Sequence, residues 1–552
     1  MWYNVGEDEI QHMSDDDDGD DMPLGDTHIA QGVPLDPLTG VLMGVPQSLL
    51  RYHPIHTDAM FLWKKHLENV EPLCKILHIP STGKMIDLVS RNPETASKID
   101  DCLLFVIYHA AVFSMSDKEC NDQLRETRST LIQRFHFAAQ QALVNASFLQ
   151  TTEFSVLQAL CLFLLSSRHI YDPHTYWILT GTAARIGQRI GLHRDGEKLG
   201  LPPFDVEMRR RLFYQIVPLD GRASQFAGIN FVSLPESWDT QPPSNINDEQ
   251  IWPGMTETPV EQRGATDMIF CLSRAYIGKT LARSGNPINS TAAWNLTDHH
   301  EAEKVISAVE NEVEGKFIRY CDIVNPLHHL TICLVRSCMT TMRLKIGLPK
   351  VRNQTATDAE WKELFCFAQK TLDIDAAIHV CRGTSRYRWH IKPYFSWETR
   401  DSLIFILTTL FKRHNILSAG EIDAAWATVA QHFQTHDELF DSKQALYVAL
   451  RRLALKAWDS YRLISVTPEP DFVRLLRSAR EEREKRQHKG DKSKYSTDAT
   501  SSTGPFAADD TNASLDSLSH SLDLEIGPSS GLNVDDWVFW DQLMQDHQAP
   551  GS

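Results

Sequence analysis

From about Met60 to residue 480, apolar residues recur at helical spacings, three or four apart, and strand-like alternation is scarce. That period gives each segment one apolar stripe, which has to be buried against another helix. Trp63, Leu67, Val70 and Leu77 share a face with Pro72 marking a break, and further helical stretches are expected over 99–115, 119–146 and 153–169. Asp172-Pro173 reads as a helix start, a cap followed by Pro in the first turn. Leu179, Ala183, Ile186 and Ile190 line that helix before Gly191 offers a left-handed stop. A second helix is expected from Pro203, with Phe204, Met208, Leu212 and Gln215 on one face. Asp205 with Arg209, and Glu207 with Arg211, form i,i+4 pairs on it. Pro218 is expected to kink or end this helix. Residues 232–265 read as loop, and helical periodicity then resumes to about 480. The expected fold class is all-α, a large helical body flanked by acidic disordered tails.

Charge is placed unevenly along the chain. Residues 1–50 hold eleven carboxylates, Asp15 to Asp18 among them, and residues 495–552 hold ten, with no Lys or Arg in either segment. Taking these from the formal net charge of −17 leaves +4 for residues 51–494. A nearly neutral body argues against broad nonspecific binding of nucleic acid, and acidic ends this poor in apolar residues read as disordered arms. Ten cysteines in 552 residues are too sparse for a disulfide framework. Several sit in apolar runs such as Leu160-Cys161-Leu162-Phe163, so they read as buried free thiols of a reducing compartment. No secretory signal is visible at the N-terminus, and the strongest apolar stretch, 102–115, falls short of the roughly 20 residues a membrane span needs.

Several strings imitate catalytic signatures and fail on their surroundings. His193-Arg194-Asp195 spells a kinase catalytic-loop triplet, without the Gly-rich loop, the strand lysine or a downstream Asp-Phe-Gly. Gly278-Lys279-Thr280 looks like the end of a phosphate-binding loop, but Ser273 stands where the loop glycine belongs. His299-His300-Glu301 lacks the i,i+4 histidine pair of a zinc protease, no Cys-x2-Cys pair occurs, and Asp15 to Asp18 lack calcium-loop spacing. No catalytic, cofactor-binding or metal-ligating residue is assigned, and the chain reads as a non-enzyme. Arg209-Arg210-Arg211 could contact phosphate, yet successive helical positions point about 100° apart and form no stripe. A carboxylate partner inside the bundle is the expectation for at least one of them, and Asp220 and Arg222 are candidates for similar buried pairing.

Five blocks together carry a family resemblance. They are Trp177-Ile178-Leu179-Thr180-Gly181-Thr182-Ala183, Ile190-Gly191-Leu192-His193-Arg194-Asp195-Gly196, Pro203-Phe204, Glu207-Met208-Arg209-Arg210-Arg211-Leu212 and Leu219-Asp220-Gly221-Arg222-Ala223. This set closely resembles the middle homology region of fungal zinc-cluster transcription factors. Leu62-Trp63, the run from Asn69 to Leu73 and that from Leu77 to Pro80 look like the family's entry segment. Residues 239–243 and 245–248 look like its loop, and the likeness covers about 52–470. The resemblance implies a nuclear transcription regulator, tied to a metabolic or secondary-metabolite gene cluster. Gly191, His193, Arg194, Asp195, Glu207, Arg209, Arg210, Arg211, Asp220 and Arg222 are then its structural or regulatory motif residues. Implied partners are the transcription machinery or a coactivator, and a homo- or heterodimer with a zinc-cluster factor; DNA contact is left open and no membrane is expected. The family's six-cysteine cluster is absent from the sequence, so no cofactor is expected in this chain, and zinc only with an N-terminal cluster. The rival reading is a co-regulator that dimerises with or sequesters a complete factor. A helical small-molecule enzyme is a further rival, for which no nucleophile, metal or phosphate constellation is visible.

The expected organisation is an acidic arm over 1–51, a regulatory domain over 52–473, a basic segment over 474–494 and a tail over 495–552. Arg483, Lys485, Arg486 and Lys489 are the candidate nuclear-import residues; the competing reading is a solvated helix end with Glu481, Glu482 and Glu484 pairing along it. In the acidic, aromatic run 535–546, Trp537, Phe539, Trp540, Leu543 and Met544 are candidate activation residues. Trp537, Trp540 and Met544 lie at i, i+3 and i+7, so a helix formed on binding would bring them to one side. The alternative is that the run docks back on the helical body and masks itself.

Overall fold

A computed structural model describes residues 47–229, 238–283, 299–442, 445–463 and 468–481. Contacts divide the chain into Met1–Met43 and Gly44–Ser552, and every described residue belongs to the second unit. The acidic arm up to residue 46, the import candidates Arg483, Lys485, Arg486 and Lys489, and the activation candidates Trp537, Phe539, Trp540, Leu543 and Met544 lie outside the described residues.

Among the described residues the regular structure is helix, without a strand. The first half runs through α1 (His56–Asn69), α2 (Glu71–Cys74), α3 (Ile79–Arg91), α4 (Lys98–Ser114), α5 (Asp117–Leu124), α6 (Arg128–Asn145), α7 (Phe154–Ser167), α8 (Pro173–Arg189) and α9 (Pro203–Phe226). After a loop come α10 (Ile269–Arg283), α11 (His299–Lys316), α12 (Pro326–Arg352), α13 (Asp358–Val380), α14 (Arg388–Lys412), α15 (Ala419–Thr435), α16 (Glu438–Asp441), α17 (Ala445–Arg462) and α18 (471–481).

Side chains set the helix starts. Ser97 with Asp100, Ser116 with Glu119, Thr357 with Glu360 and Ser418 with Glu421 form capping boxes, which satisfy backbone N–H groups that have no partner inside the helix. Asp172 caps α8 by accepting from the N–H groups of His174 and Thr175. The single stretch expected over 119–146 is two helices, because Arg125 takes a left-handed backbone at φ 57° after α5 and Thr127 caps a fresh start. Gly191, at φ +78°, turns the chain after α8. Pro218 does not end α9, which continues to Phe226. Proline removes one backbone donor, and the buried side chains of Phe213, Ile216, Leu219 and Ala223 on either side keep this stretch packed.

α4 lies at the centre of the N-terminal half. Its residues from Cys102 to Val112 are all buried, and it packs on α1, α6 and α7. A helix that is apolar on every side has to be surrounded, which accounts for the apolar stretch noted above. Among the described residues no helix is long and apolar enough to cross a membrane. His109 is fully buried in α4, with Nδ1 2.9 Å from Ser166 Oγ on α7. Burial, with His136 and His169 nearby, holds it well below the usual histidine range, so it is a neutral core residue.

In the C-terminal half α12, α13 and α14 pack in succession, α15 lies on α13, and α17 lies on α14. Trp361, Phe405, Trp426, Phe433, Trp458 and Phe472 fill the core between them. Gly347 marks the close approach of α12 to α13, where Leu364 leaves no room for a Cβ. The cysteines are free, but the uniformly buried set expected from sequence needs correcting: Cys366 is exposed, and Cys271, Cys321, Cys338 and Cys381 are partly so.

Leu212 on α9 is fully buried, whereas Leu199, ahead of α9, is exposed. Leu212→Ala is expected to cost about 2–5 kcal/mol of stability, and Leu199→Ala no more than about 0.5 kcal/mol, as read from urea unfolding followed by circular dichroism. A Leu212 variant as stable as the parent would put the core face of α9 elsewhere.

Candidate functional site

Most of the motif residues meet where the turn after α8, the middle of α9 and the loop 238–268 come together. Asp195 is the hub of the outer layer. Arg210 grips it from α9, with Nε 2.9 Å from Oδ2 and Nη2 2.7 Å from Oδ1. The Gln241 N–H donates to Oδ2 at 2.8 Å and the Glu197 N–H to Oδ1 at 3.2 Å. Arg210 Nη2 also lies 3.0 Å from Glu197 Oε2. Burial works against the charged form, but Arg210 and these backbone donors hold the Asp195 carboxyl below the usual range.

The loop returns the contact. The N–H of Asp195 donates to Asp239 Oδ1 at 2.7 Å, and the N–H of Asp239 to the His193 carbonyl at 3.1 Å. Lys198 and Arg194 approach the other Asp239 oxygen at 3.1 and 3.9 Å. Thr240 Oγ1 donates to the Leu192 carbonyl at 2.6 Å, and the Tyr214 hydroxyl of α9 donates to the Thr240 carbonyl at 3.1 Å. Arg209 does not close the expected pair with Asp205; its Nη2 donates at 2.7 Å to the carbonyl of Ile190, at the end of α8.

A deeper layer is built on Arg211, whose side chain has no solvent exposure. Nε lies 2.9 Å from Glu207 Oε1, one turn back on α9, and Nη1 lies 2.6 Å from Asp248 Oδ1 in the loop. Both carboxylates are held again from behind. Glu207 Oε2 accepts the Ser244 N–H at 3.0 Å, and Asp248 Oδ2 accepts the Ile79 N–H at 2.8 Å. Asp248 therefore sits at the start of α3, where a negative charge is favoured by the helix dipole. Burial opposes its ionisation, but Arg211 and Lys75 hold it below the usual carboxylate range. Lys75 and Glu71, both buried, complete the group at 3.7 Å from each other. Burial pushes Glu71 up to about 8, with Lys75 only partly opposing.

Further along α9, Asp220 is fully buried and its Oδ1 accepts from Thr180 Oγ1 of α8 at 3.0 Å. Half-buried Arg222 donates from Nη1 to Gln225 Oε1 at 3.1 Å. The kinase-like triplet thus has its Asp195 enclosed by donors, which leaves it no room to serve as a base. The nearby thiols of Cys161 and Cys271 are pushed up by burial to about 12 and about 11, and so lack the thiolate character of a nucleophile. The arrangement binds chain segments to one another and presents no group poised for group transfer.

Sequence reasoning missed Glu71, Lys75, Asp239, Gln241 and Asp248 as partners of the motif, although each lies in or beside a segment with a family look. It also missed a second polar cluster in the C-terminal half. Asp375 and His379 are one turn apart on α13, and His432 and His436 are one turn apart at the end of α15. His436 Nε2 and His432 Nδ1 lie 2.8 and 3.2 Å from Asp375 Oδ2. Burial alone would lower His436, but Asp375 and Glu438 hold it up at about 9. The two i,i+4 pairs were the available signal.

The Glu71 proton makes a prediction about pH. Its ordinary value is 4.5, and in the folded chain it is about 8. Between these values the folded chain keeps a proton that the unfolded chain releases, so stability falls as pH rises through the window. Glu71→Gln removes that cost. It is expected to raise the melting temperature by about 2–4 °C at pH 8, with the difference from the parent closing toward pH 5. A difference that does not change with pH would show that Glu71 is not the group titrating.

Residues 63–277, which contain both layers, match the fungal specific transcription factor domain. The aurofusarin cluster transcription factor aurR2 of Gibberella zeae is 36% identical over 420 residues, which cover 75% of this chain and 62% of that protein. The transcriptional regulator AacuB of Aspergillus aculeatus is 28% identical over 450 residues, covering 79% and 60%. The pyriculol/pyriculariol biosynthesis cluster transcription factor 1 of Pyricularia oryzae is 31% identical over 420 residues, covering 72% and 54%. The chain thus spans a little over half the length of these relatives. Their names are those of transcription regulators, not of enzymes, and more distant relatives are named C6 finger domain transcription factors. Residues 63–277 of this chain thus match a fungal specific transcription factor domain, and the chain is similar over most of its length to fungal proteins named as transcription factors.

Proposed function

We propose that this chain is a transcription regulator of a fungal biosynthetic gene cluster, with residues 52–473 as its regulatory domain and 535–546 as its activating segment. The observation that carries this reading is the family domain over 63–277, shared with relatives whose names tie them to the aurofusarin and pyriculol clusters. The body supports a regulatory part, since its motif charges are engaged with one another and with the backbone. On this reading Gly191, His193, Arg194, Asp195, Glu207, Arg209, Arg210 and Arg211 keep the loop 238–268 on the helices, while Asp220 and Arg222 serve the packing along α9. The protein acts in the nucleus, entering through Arg483, Lys485, Arg486 and Lys489. Trp537, Phe539, Trp540, Leu543 and Met544 contact an apolar groove of a coactivator, the surrounding carboxylates keeping them solvated until they bind.

The test is transcript profiling in a fungal host that expresses the chain from an inducible promoter. A coordinated change across contiguous biosynthetic genes is expected, and it should be lost when Trp537→Ala and Trp540→Ala are combined. No coordinated change at any such cluster would contradict the function. An unaltered response in the double variant would remove the aromatic tail from the mechanism.

A further inference from the structure

The Asp375 cluster lies beyond the residues matched to the family domain, and the proposed function makes no use of it. Two helices and the residue that follows one of them bring it together. α13 supplies Asp375 and His379, α15 supplies His432, and His436 follows α15 directly, before α16. Asp375 is fully buried, and His432 and His436 nearly so. His379 Nδ1 lies 3.6 Å from Asp375 Oδ1 and 2.9 Å from the Asp375 carbonyl oxygen. The imidazole rings crowd together, with centroids 4.2 Å apart for His432 and His436 and 4.9 Å apart for His379 and His436. Three imidazoles around one buried carboxylate is an expensive arrangement unless the nitrogens and oxygens share something between them.

The geometry suits a small divalent ion. Asp375, His379 and His436 each offer one donor atom, all lying within 4.8 Å of one another. His432 adds a fourth nitrogen 3.2 Å from Asp375 Oδ2. Donor atoms around a tetrahedral zinc, with bonds of roughly 2.0–2.2 Å, stand about 3.2–3.6 Å apart, a spacing that His432 Nδ1 to Asp375 Oδ2 at 3.2 Å and His379 Nδ1 to Asp375 Oδ1 at 3.6 Å already show. Two buried donor atoms of the cluster, Asp375 Oδ1 and His432 Nδ1, have no hydrogen-bond partner. An outer shell is in place as well. Glu438 Oε1 lies 3.3 Å from His436 Nδ1, which orients the ring with Nε2 toward Asp375, so that a metal ion would take the place of the proton Nε2 shares with that carboxylate. A carboxylate behind a histidine is the usual support of a metal-bound imidazole. A small cavity lined by Thr399, Arg400, His432, His436, Glu438 and Tyr447 adjoins the cluster.

We propose that Asp375, His379, His432 and His436 form a zinc(II) site that ties α13 to the end of α15. The donor set is one carboxylate and three imidazoles, borderline ligands that suit zinc or cobalt better than magnesium or calcium. It contains no thiolate. Bound there, the ion would cross-link two helices of the C-terminal core and stabilise the folded chain by mass action.

The experiment uses the untagged full-length chain, stripped with a chelator and titrated with zinc(II) against a chromophoric competitor, and separately with cobalt(II). One equivalent of zinc is expected, with a rise in melting temperature. Cobalt should give the visible spectrum of a nitrogen and oxygen site, without thiolate charge transfer. His436→Gln should weaken zinc binding by about 100-fold, and His379→Asn, at the least buried of the four positions, by at least about tenfold. Cys366→Ser, which removes the exposed thiol, should change nothing. Absence of a stoichiometric site, binding that survives in both histidine variants, or a cobalt spectrum dominated by thiolate would each overturn the proposal. Should His436→Gln fail to fold, the decision rests on His379→Asn.

Discussion

The guanidinium of Arg211 is the charge on which the middle of this chain depends. Taking such a group out of water costs several kcal/mol, and here the cost is met by Glu207 from its own helix and Asp248 from the loop. Asp248 is also the group that accepts the first N–H of α3. If the loop lifted away, it would leave a buried cation with Glu207 alone and a helix start without its acceptor. One residue therefore couples α9, α3 and a loop that has almost no regular structure to hold it in place. Arg210 repeats the device one position earlier, joining α9 to Asp195 after α8, whose carboxylate in turn accepts the Gln241 N–H from the loop. Because adjacent helical positions diverge, the two arginines serve different layers, and neither needs a phosphate.

Much of this could be read from the amino-acid order, and the part that could not has physical reasons. Helices announce themselves locally, through apolar spacing and caps such as Asp172, so α8 and α9 were expected close to where they lie. Arg125 could not be foreseen as a left-handed break, because nothing about an arginine prefers that conformation. Pro218 does not end α9, as packing on both sides of the helix offsets the loss of one backbone donor. The motif residues were visible, yet their partners were not: Asp239 and Asp248 lie tens of residues away in a stretch without periodicity. The histidine cluster hid for the same reason, as two short i,i+4 pairs separated by more than fifty positions.

Both halves use polar groups in the same way, as fasteners between segments that apolar packing alone would leave free to shift. In the N-terminal half the fastener is made of ion pairs whose members are all supplied by the chain, with Glu71 kept neutral enough to balance the group. In the C-terminal half the imidazoles outnumber the carboxylates around Asp375, and that imbalance is what distinguishes a cluster suited to a cation from one that is complete. If the body is regulatory, as proposed, it has to hold its shape while other segments engage partners. Buried charge is a specific means to that end, because a misplaced loop costs far more than a misplaced apolar contact.

The central claim is that the arginine run pins the loop 238–268 to the helices. Hydrogen exchange followed by mass spectrometry on the full chain, comparing the parent with Arg210→Ala, tests it most directly. Breaking a buried pair costs about 3–5 kcal/mol, so amides of residues 239–251 and of the turn at Asp195 should exchange at least about tenfold faster, while α4 keeps its protection and reports that the fold is intact. Unchanged exchange in 239–251, with α4 equally protected in both proteins, would contradict the account.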